Sequence, residues 1–357
     1  MSRRGWFALL AVLAGGFGLS TQAQAFEVKH SAAGELVRWR RANVAWTVDR
    51  SLREVKGGDA AVMAAVAAWT GREGAPSLAA ESSDTVLEPG FDHKNTVFFA
   101  RDGYEPAGIA LAVTVLSFDE RTGDVLDADI VLNGKYHFAP VVVDNVRTAA
   151  QAAADRAAAA PPTYDIGRVL AHEMGHALGL SDEPASKDAL MYPYVPHSRA
   201  LGAAPGADDV AGLQALYGGA ADANASGAGR DARESDNTRG CSVAPAAPVV
   251  TPPSYVVAPS SAYDARAVVT RVHTTSLHGV FRTDVELATT ACASVACPDV
   301  SRAVVWGGTI DGIRQIVGGV QVPEAGEKIG LVLEPSPEPP QSRSLDGVVR
   351  TMTRIAE

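Results

Sequence analysis

The chain has 357 residues, enough for two domains or three. Hydrophobic residues at 46% and charged residues at 20% give a globular balance and exclude a chain disordered throughout. A formal net charge of −10 argues against nucleic acid as a partner, and three cysteines exclude a disulfide-dense scaffold. In chain order, Arg3 and Arg4 come first, then an uncharged apolar run from Trp6 to Leu19 and the small-x-small sequence Ala23-Gln24-Ala25. This pattern predicts a signal peptide over 1–25, cut before Phe26, and a mature protein that is extracellular or periplasmic. No later apolar run is long enough to predict a membrane span.

In the mature chain, Val44, Trp46 and Val48 alternate with smaller or polar residues over 43–49 and predict a half-buried strand. Val62, Met63, Val66 and Trp69 recur at helical spacing, with Asp59 as the expected N-cap and Gly71 as the stop. Strands are predicted over 95–100, 109–118 and 128–132, with a turn at Gly123-Asp124. The alanine-rich stretch 149–160, closed by Pro161-Pro162, reads as a surface insertion. A helix follows from Ile166 to Leu178, capped by Thr163 or Asp165 and broken by Gly179. Val210, Leu213, Leu216 and Tyr217 predict another, ended by Gly218-Gly219.

Residues 219–254 are rich in Ala, Gly, Ser and Pro and predict a linker. Short Val-rich runs over 255–334, punctuated by Gly and Asp, predict a small all-β domain. The segment 335–357 opens with four prolines and is expected to be a loose tail. Cys292 and Cys297 are spaced for a local disulfide, and Cys241 in the linker is left over.

The chemistry is concentrated in His172-Glu173-Met174-Gly175-His176. Two histidines four apart on a helix project from one face, as two ligands of one tetrahedral zinc must. Glu173 lies beside them, within reach of a water at such a metal. Gly179 ends the helix, and the returning chain brings Asp182 toward the metal as third ligand, with Glu183 as the adjacent alternative. A catalytic zinc wants three protein ligands and one open position. The remaining histidines, among them His30, His93 and His137, show no ligand spacing. Asp119, Asp124, Asp127 and Asp129 offer hard oxygens for a possible Ca2+ site or form a solvated acidic turn.

The array His172-Glu173-x-x-His176-x-x-Gly179-x-x-Asp182 resembles the long zinc signature of metzincins, and Ala189-Leu190-Met191-Tyr192-Pro193 resembles their Met-turn. Within that group the chain is most similar to bacterial matrixin-like peptidases. Residues 165–171 resemble the lead-in to the active-site helix, 127–133 a family strand and 208–218 the C-terminal helix. The resemblance covers about residues 40–218. It implies an α+β fold: a metzincin-like catalytic domain over 26–218, with a twisted, mostly parallel sheet, an active-site helix and a C-terminal helix. The region over 255–334 is similar to a β module appended to secreted matrixin-like proteins.

The same resemblance implies a secreted zinc metalloendopeptidase acting on protein or peptide substrates. His172, His176 and Asp182 would hold one Zn2+, Glu173 would be general base and acid to a zinc-activated water, and Met191 would floor the site. The predicted strand 107–116 would be the edge that receives substrate, with Ala110 and Leu111 near the cleft. Two departures stand out. Most metzincins have His where this chain has Asp182, although the snapalysins also have Asp there. No cysteine lies between residues 26 and 240, so the cysteine-switch propeptide of many matrixins has no counterpart. The competing reading is a secreted, non-catalytic binding or adhesion protein that keeps the fold; it would be marked by loss of Glu173, which is present.

Overall fold

In the computed structural model, the described residues are 26–141 (except 73), 162–197, 201–218, 244–245, 263–292, 302–318, 322–333 and 349–354. The expected insertion at 149–160, Cys241, Cys297 and most of the linker lie outside them.

Strand β1 (Asn43–Val48) buries Val44, Trp46 and Val48 and exposes the residues between them, as its alternation predicts. Helix α1 (Gly58–Trp69) is entered through Gly57 at φ 71, so Asp59 sits in its first turn and is not the N-cap. Strand β2 (Ser77–Ser82) buries only Leu78 of its central residues and was not anticipated. Strands β3 (Thr96–Ala100), β4 (Ala112–Asp119) and β5 (Val125–Asn133) follow. A short pair, β6 (His137–Ala139) and β7 (Thr163–Asp165), leads into α2 (Ile166–Ala177). Strand β8 (Tyr194–Val195) precedes α3 (Ala207–Tyr217) and pairs with β9 (Ala244–Pro245) inside the expected linker.

Strands β1, β2, β3 and β5 run parallel, and β4 is antiparallel to β5. The core lies between this sheet and the helices, with Trp46, Trp69, Phe118, Leu170 and Leu178 almost fully enclosed. Each buried tryptophan N–H finds a carbonyl: Trp39 at Ala177 (2.8 Å), Trp46 at Ala128 (2.9 Å) and Trp69 at Ala171 (2.8 Å). Two of these bonds hold α2, one at its middle and one at its last residue. The fold is α+β, as expected.

The all-β region comprises β10 (Tyr263–Leu277), β11 (Val280–Cys292), β12 (Arg302–Ile310), β13 (Ile313–Val317), β14 (Lys328–Leu333) and β15 (Val349–Arg354). Two tight hairpins organise it, at His278-Gly279 (φ 50 and 81) and Asp311-Gly312 (φ 50 and 81). Consecutive positive φ values are what a two-residue hairpin turn with the strand twist requires. Strand β15 lies in the segment expected to be a loose tail; main-chain pairing with β14 orders it there. The region does not stand apart from the first sheet. Strand β13 pairs antiparallel with β4, giving one sheet of eleven strands in the order β15-β14-β10-β11-β12-β13-β4-β5-β3-β1-β2.

Strand β4 begins at Ala112, later than the sequence suggests. A 3-10 turn over Glu105–Ala107, carrying Pro106, and Gly108 at φ 54 delay the extended backbone. Ala110 and Leu111 therefore precede the strand, and both are buried. The Ala110 N–H donates to the Ala107 carbonyl (2.8 Å), and its own carbonyl accepts from Asn133 Nδ2 (2.9 Å). The Leu111 carbonyl in turn accepts the Asn133 N–H at 2.9 Å. Among the described residues, no helix is long and apolar enough to cross a membrane.

Candidate metal centre

Helix α2 starts where Asp165 Oδ1 accepts the Gly167 N–H at 3.1 Å, the cap expected from sequence. It ends at Gly179, whose φ of 101 excludes most L side chains. A Cβ there would also stand 2.2 Å from the Val37 carbonyl oxygen, so the close return of the chain needs glycine twice over. The N–H groups of Gly179 and Leu180 close the helix on His176 and Gly175 at 3.0 and 3.1 Å. This sharp stop places Asp182 beside the two histidines.

The three side chains converge. Asp182 Oδ1 lies 3.2 Å from His172 Nε2 and 3.4 Å from His176 Nε2, and all three residues are buried. The imidazole centroids are 4.6 Å apart, with the rings nearly perpendicular. Behind each ring a carbonyl sets the orientation: His172 Nδ1–H donates to Leu190 O (2.8 Å) and His176 Nδ1–H to Leu180 O (2.9 Å). The Nε2 lone pairs therefore face Asp182. Neither Nε2 nor either Asp182 carboxylate oxygen has a hydrogen-bond partner. Four orphaned polar atoms in a buried site are costly unless a ligand completes them. Two imidazole nitrogens and a carboxylate are a donor set that fits zinc. Among the described residues this is the one group of three or more His, Cys, Asp or Glu arranged to hold a metal. Glu183 points elsewhere: its Oε1 accepts the Ala185 N–H at 2.8 Å.

Charge in the cluster is balanced by position. Burial, followed by the nearby Lys29 ammonium, pushes His176 down to about 4 and keeps it neutral at pH 7. Burial opposes the charged form of Asp182 too, but the two imidazoles outweigh it and hold the carboxyl below the usual carboxylate range. Burial likewise works to lower His172, and the Asp182 carboxylate reverses the sign, so the net shift is upward.

Three neighbours of the cluster were not picked out from sequence. Thr114 on β4 donates its hydroxyl to Glu173 Oε2 (2.8 Å) and lies 3.0 Å from the Glu173 carbonyl, so a strand residue holds the carboxylate. Asp209 on α3 accepts the N–H groups of Leu190 (2.8 Å), Met191 (3.0 Å) and Gly206 (2.7 Å). It thereby fixes the loop whose Leu190 carbonyl orients His172. Lys29 Nζ donates to the Leu180 carbonyl, which also holds His176, and lies 3.4 Å from His176 Nδ1. Met191 is buried against Gly175, where a Cβ would meet its Sδ at 2.4 Å. Tyr192 and Tyr194 pack edge to face, 5.6 Å between centroids.

The acidic run offers no comparable cluster. Asp129 spends its oxygens on the N–H groups of Gly90 (2.6 Å) and Thr96 (2.8 Å), Asp127 on Asp92 (3.1 Å), and Asp119 on Arg121 and Thr122 (3.0 and 2.8 Å). These carboxylates tie loops to the sheet, and nothing in their arrangement supports calcium.

The matrixin family model matches residues 38–218, just over half of the chain. The chain belongs to the matrixin family. No curated protein matches it. Matrixins are zinc metalloproteases, and the His172–His176–Asp182 cluster is where a matrixin domain would hold that zinc. The strand and helix layout over 43–217 is accordingly that of the matrixin domain, with an all-β region following it.

Proposed function

We propose that this matrixin is an exported zinc endopeptidase in which His172, His176 and Asp182 hold the metal and Glu173 moves the proton. The observation that carries the reading is the convergence of three unpartnered ligand groups beside a carboxylate fixed by Thr114. Zinc bound there supplies a Lewis acid for the scissile carbonyl and a more acidic water. Glu173, fully enclosed and held by the Thr114 hydroxyl, accepts the proton of the attacking water and returns it to the leaving amine. Asp182 in place of a neutral third imidazole makes the ligand set anionic, and Lys29 sets a positive charge 3.4 Å from His176 Nδ1 to offset it. The export proposal rests on the signal-like segment 1–25 alone.

The experiment is metal analysis with hydrolysis of a quenched fluorescent peptide. One zinc per chain, activity abolished by chelation and restored by zinc, and loss of zinc in Asp182→Ala are expected. Full zinc retention in Asp182→Ala would remove Asp182 from the ligand set. Zinc binding without cleavage of any peptide or of casein would favour the non-catalytic binding protein.

A further inference from the structure

Strand β4 faces two ways at once. Its Thr114 side chain reaches inward to Glu173, and its main-chain edge away from β5 runs past the same residue. Strand β13 occupies part of that edge, in the register Ile313↔Asp119 to Val317↔Val115. The last contact is the Gly318 N–H donating to the Thr114 carbonyl at 3.4 Å. Among the described residues, no strand pairs with Ala112 or Val113 on this side. Leu111 turns its carbonyl to Asn133 at the β5 side (2.9 Å), so alternation along the strand aims the Ala112 N–H and C=O outward. Among the described residues, the open stretch of the edge is therefore short, and it lies next to the residue that holds Glu173.

Strand β13 is firmly seated. Gln315 is buried and bonded on both sides of its amide: Nε2 donates to Ser117 Oγ and to Gly279 O, each at 3.1 Å, and Oε1 accepts the Phe281 N–H at 2.6 Å. Arg314 pairs with Glu120 at 3.4 Å, and the Glu120 N–H donates to Gly312 O at 2.9 Å. Val317 packs with Val113, Val115, Val131 and Val280 on the outer face. A peptide does not displace such a strand at the cost of one added hydrogen-bond ladder.

We propose that the C-terminal region is a built-in stop of the substrate cleft: β13 limits how many residues a peptide substrate places on β4 before its cleaved bond. The inference rests on the peptidase reading above. A strand added to the open edge in line with β13 runs antiparallel to β4, so its N-terminal end abuts Gly318. Gly318 already faces Thr114, and a substrate starts opposite Val113 or Ala112. From Thr114 to Ala112 is two residues, about 7 Å of strand at about 3.3 Å each. Beyond about two or three residues, the N-terminal side of the substrate must leave the sheet and gains no further main-chain bonds. Among the described residues, the C-terminal side meets no such stop. Peptides cleaved close to their amino terminus, or just after a turn, fit this edge.

The test is a series of quenched fluorescent peptides with a constant C-terminal side and one to six residues before the cleaved bond, given to the full-length zinc-loaded protein. The expected result is kcat/KM rising up to the second or third residue and flat or falling afterwards. A further tenfold gain between the third and sixth residues overturns the stop. Gln315→Ala, which removes three bonds that seat β13, is expected to raise kcat/KM at least threefold for six-residue arms and to leave two-residue arms unchanged. Equal effects on both arms overturn the assignment to β13. If that variant fails to fold, as read by circular dichroism, the wild-type series still decides. Failure to cleave any peptide refutes the peptidase reading itself, and the stop with it.

Discussion

Replacing Thr114 by valine removes one hydroxyl and keeps the shape and the strand-forming side chain. In the folded protein that hydroxyl donates to Glu173 Oε2 at 2.8 Å, with both residues enclosed. A hydrogen bond to a charged group contributes about 1.5–3 kcal/mol, and more is lost when the partner is left bare. If the bond matters chiefly for placing the carboxylate in the transition state, kcat for Thr114→Val falls about 10- to 150-fold at about 1.4 kcal/mol per decade. KM and zinc content stay near wild type, because the hydroxyl touches no proposed ligand. Thr114→Ser should recover most of the rate, since it restores the donor. The assay is saturating turnover of a fluorogenic peptide beside metal analysis of the same preparation. A kcat for Thr114→Val within about twofold of wild type, with zinc intact, would refute the claim that β4 positions the base.

Gly175→Ala should destabilise the fold by about 1–3 kcal/mol, because the new Cβ meets Met191 Sδ at 2.4 Å and Trp69 Cζ2 at 3.0 Å in a packed core; an unchanged urea midpoint would contradict this. Burial pushes Asp127 up to about 6 and holds Asp129 well above the usual carboxylate range. A carboxyl raised in the folded state binds more protons there than when unfolded, so its contribution to stability falls as pH rises from about 4 to about 6. Asp127→Asn escapes that loss, and its stability relative to wild type should improve by about 2 kcal/mol between pH 4.5 and 7.5. A relative stability that stays level or worsens would show that Asp127 is not raised.

The candidate metal cluster was legible because its information is local. Helical periodicity puts His172 and His176 on one face, and Gly179 signals the stop that returns Asp182. What sequence could not show lies across the fold. Thr114 is 59 residues from Glu173, Asp209 is 19 from Leu190, and Lys29 is 147 from His176. No spacing rule connects such pairs before the sheet and helices are assembled. Strand β2 escaped notice because Ser-Leu-Ala-Ala-Glu-Ser carries little β preference; main-chain pairing with β1 makes it a strand. The junction of β13 with β4 was hidden for a related reason. The composition break over 219–254 suggested a tethered module, whereas an antiparallel ladder between two strands leaves no periodic mark on either. The start of β4 was misplaced because Pro106 and Gly108 act on the backbone before the apolar alternation takes hold.

The central claim, a zinc peptidase with Glu173 as the proton carrier, is tested most directly by Glu173→Ala measured for zinc and for peptide hydrolysis in one preparation. The account predicts one zinc per folded chain and a turnover at least about 1,000-fold below wild type, since the ligands are untouched and the base is gone. Wild-type turnover with zinc bound would contradict it.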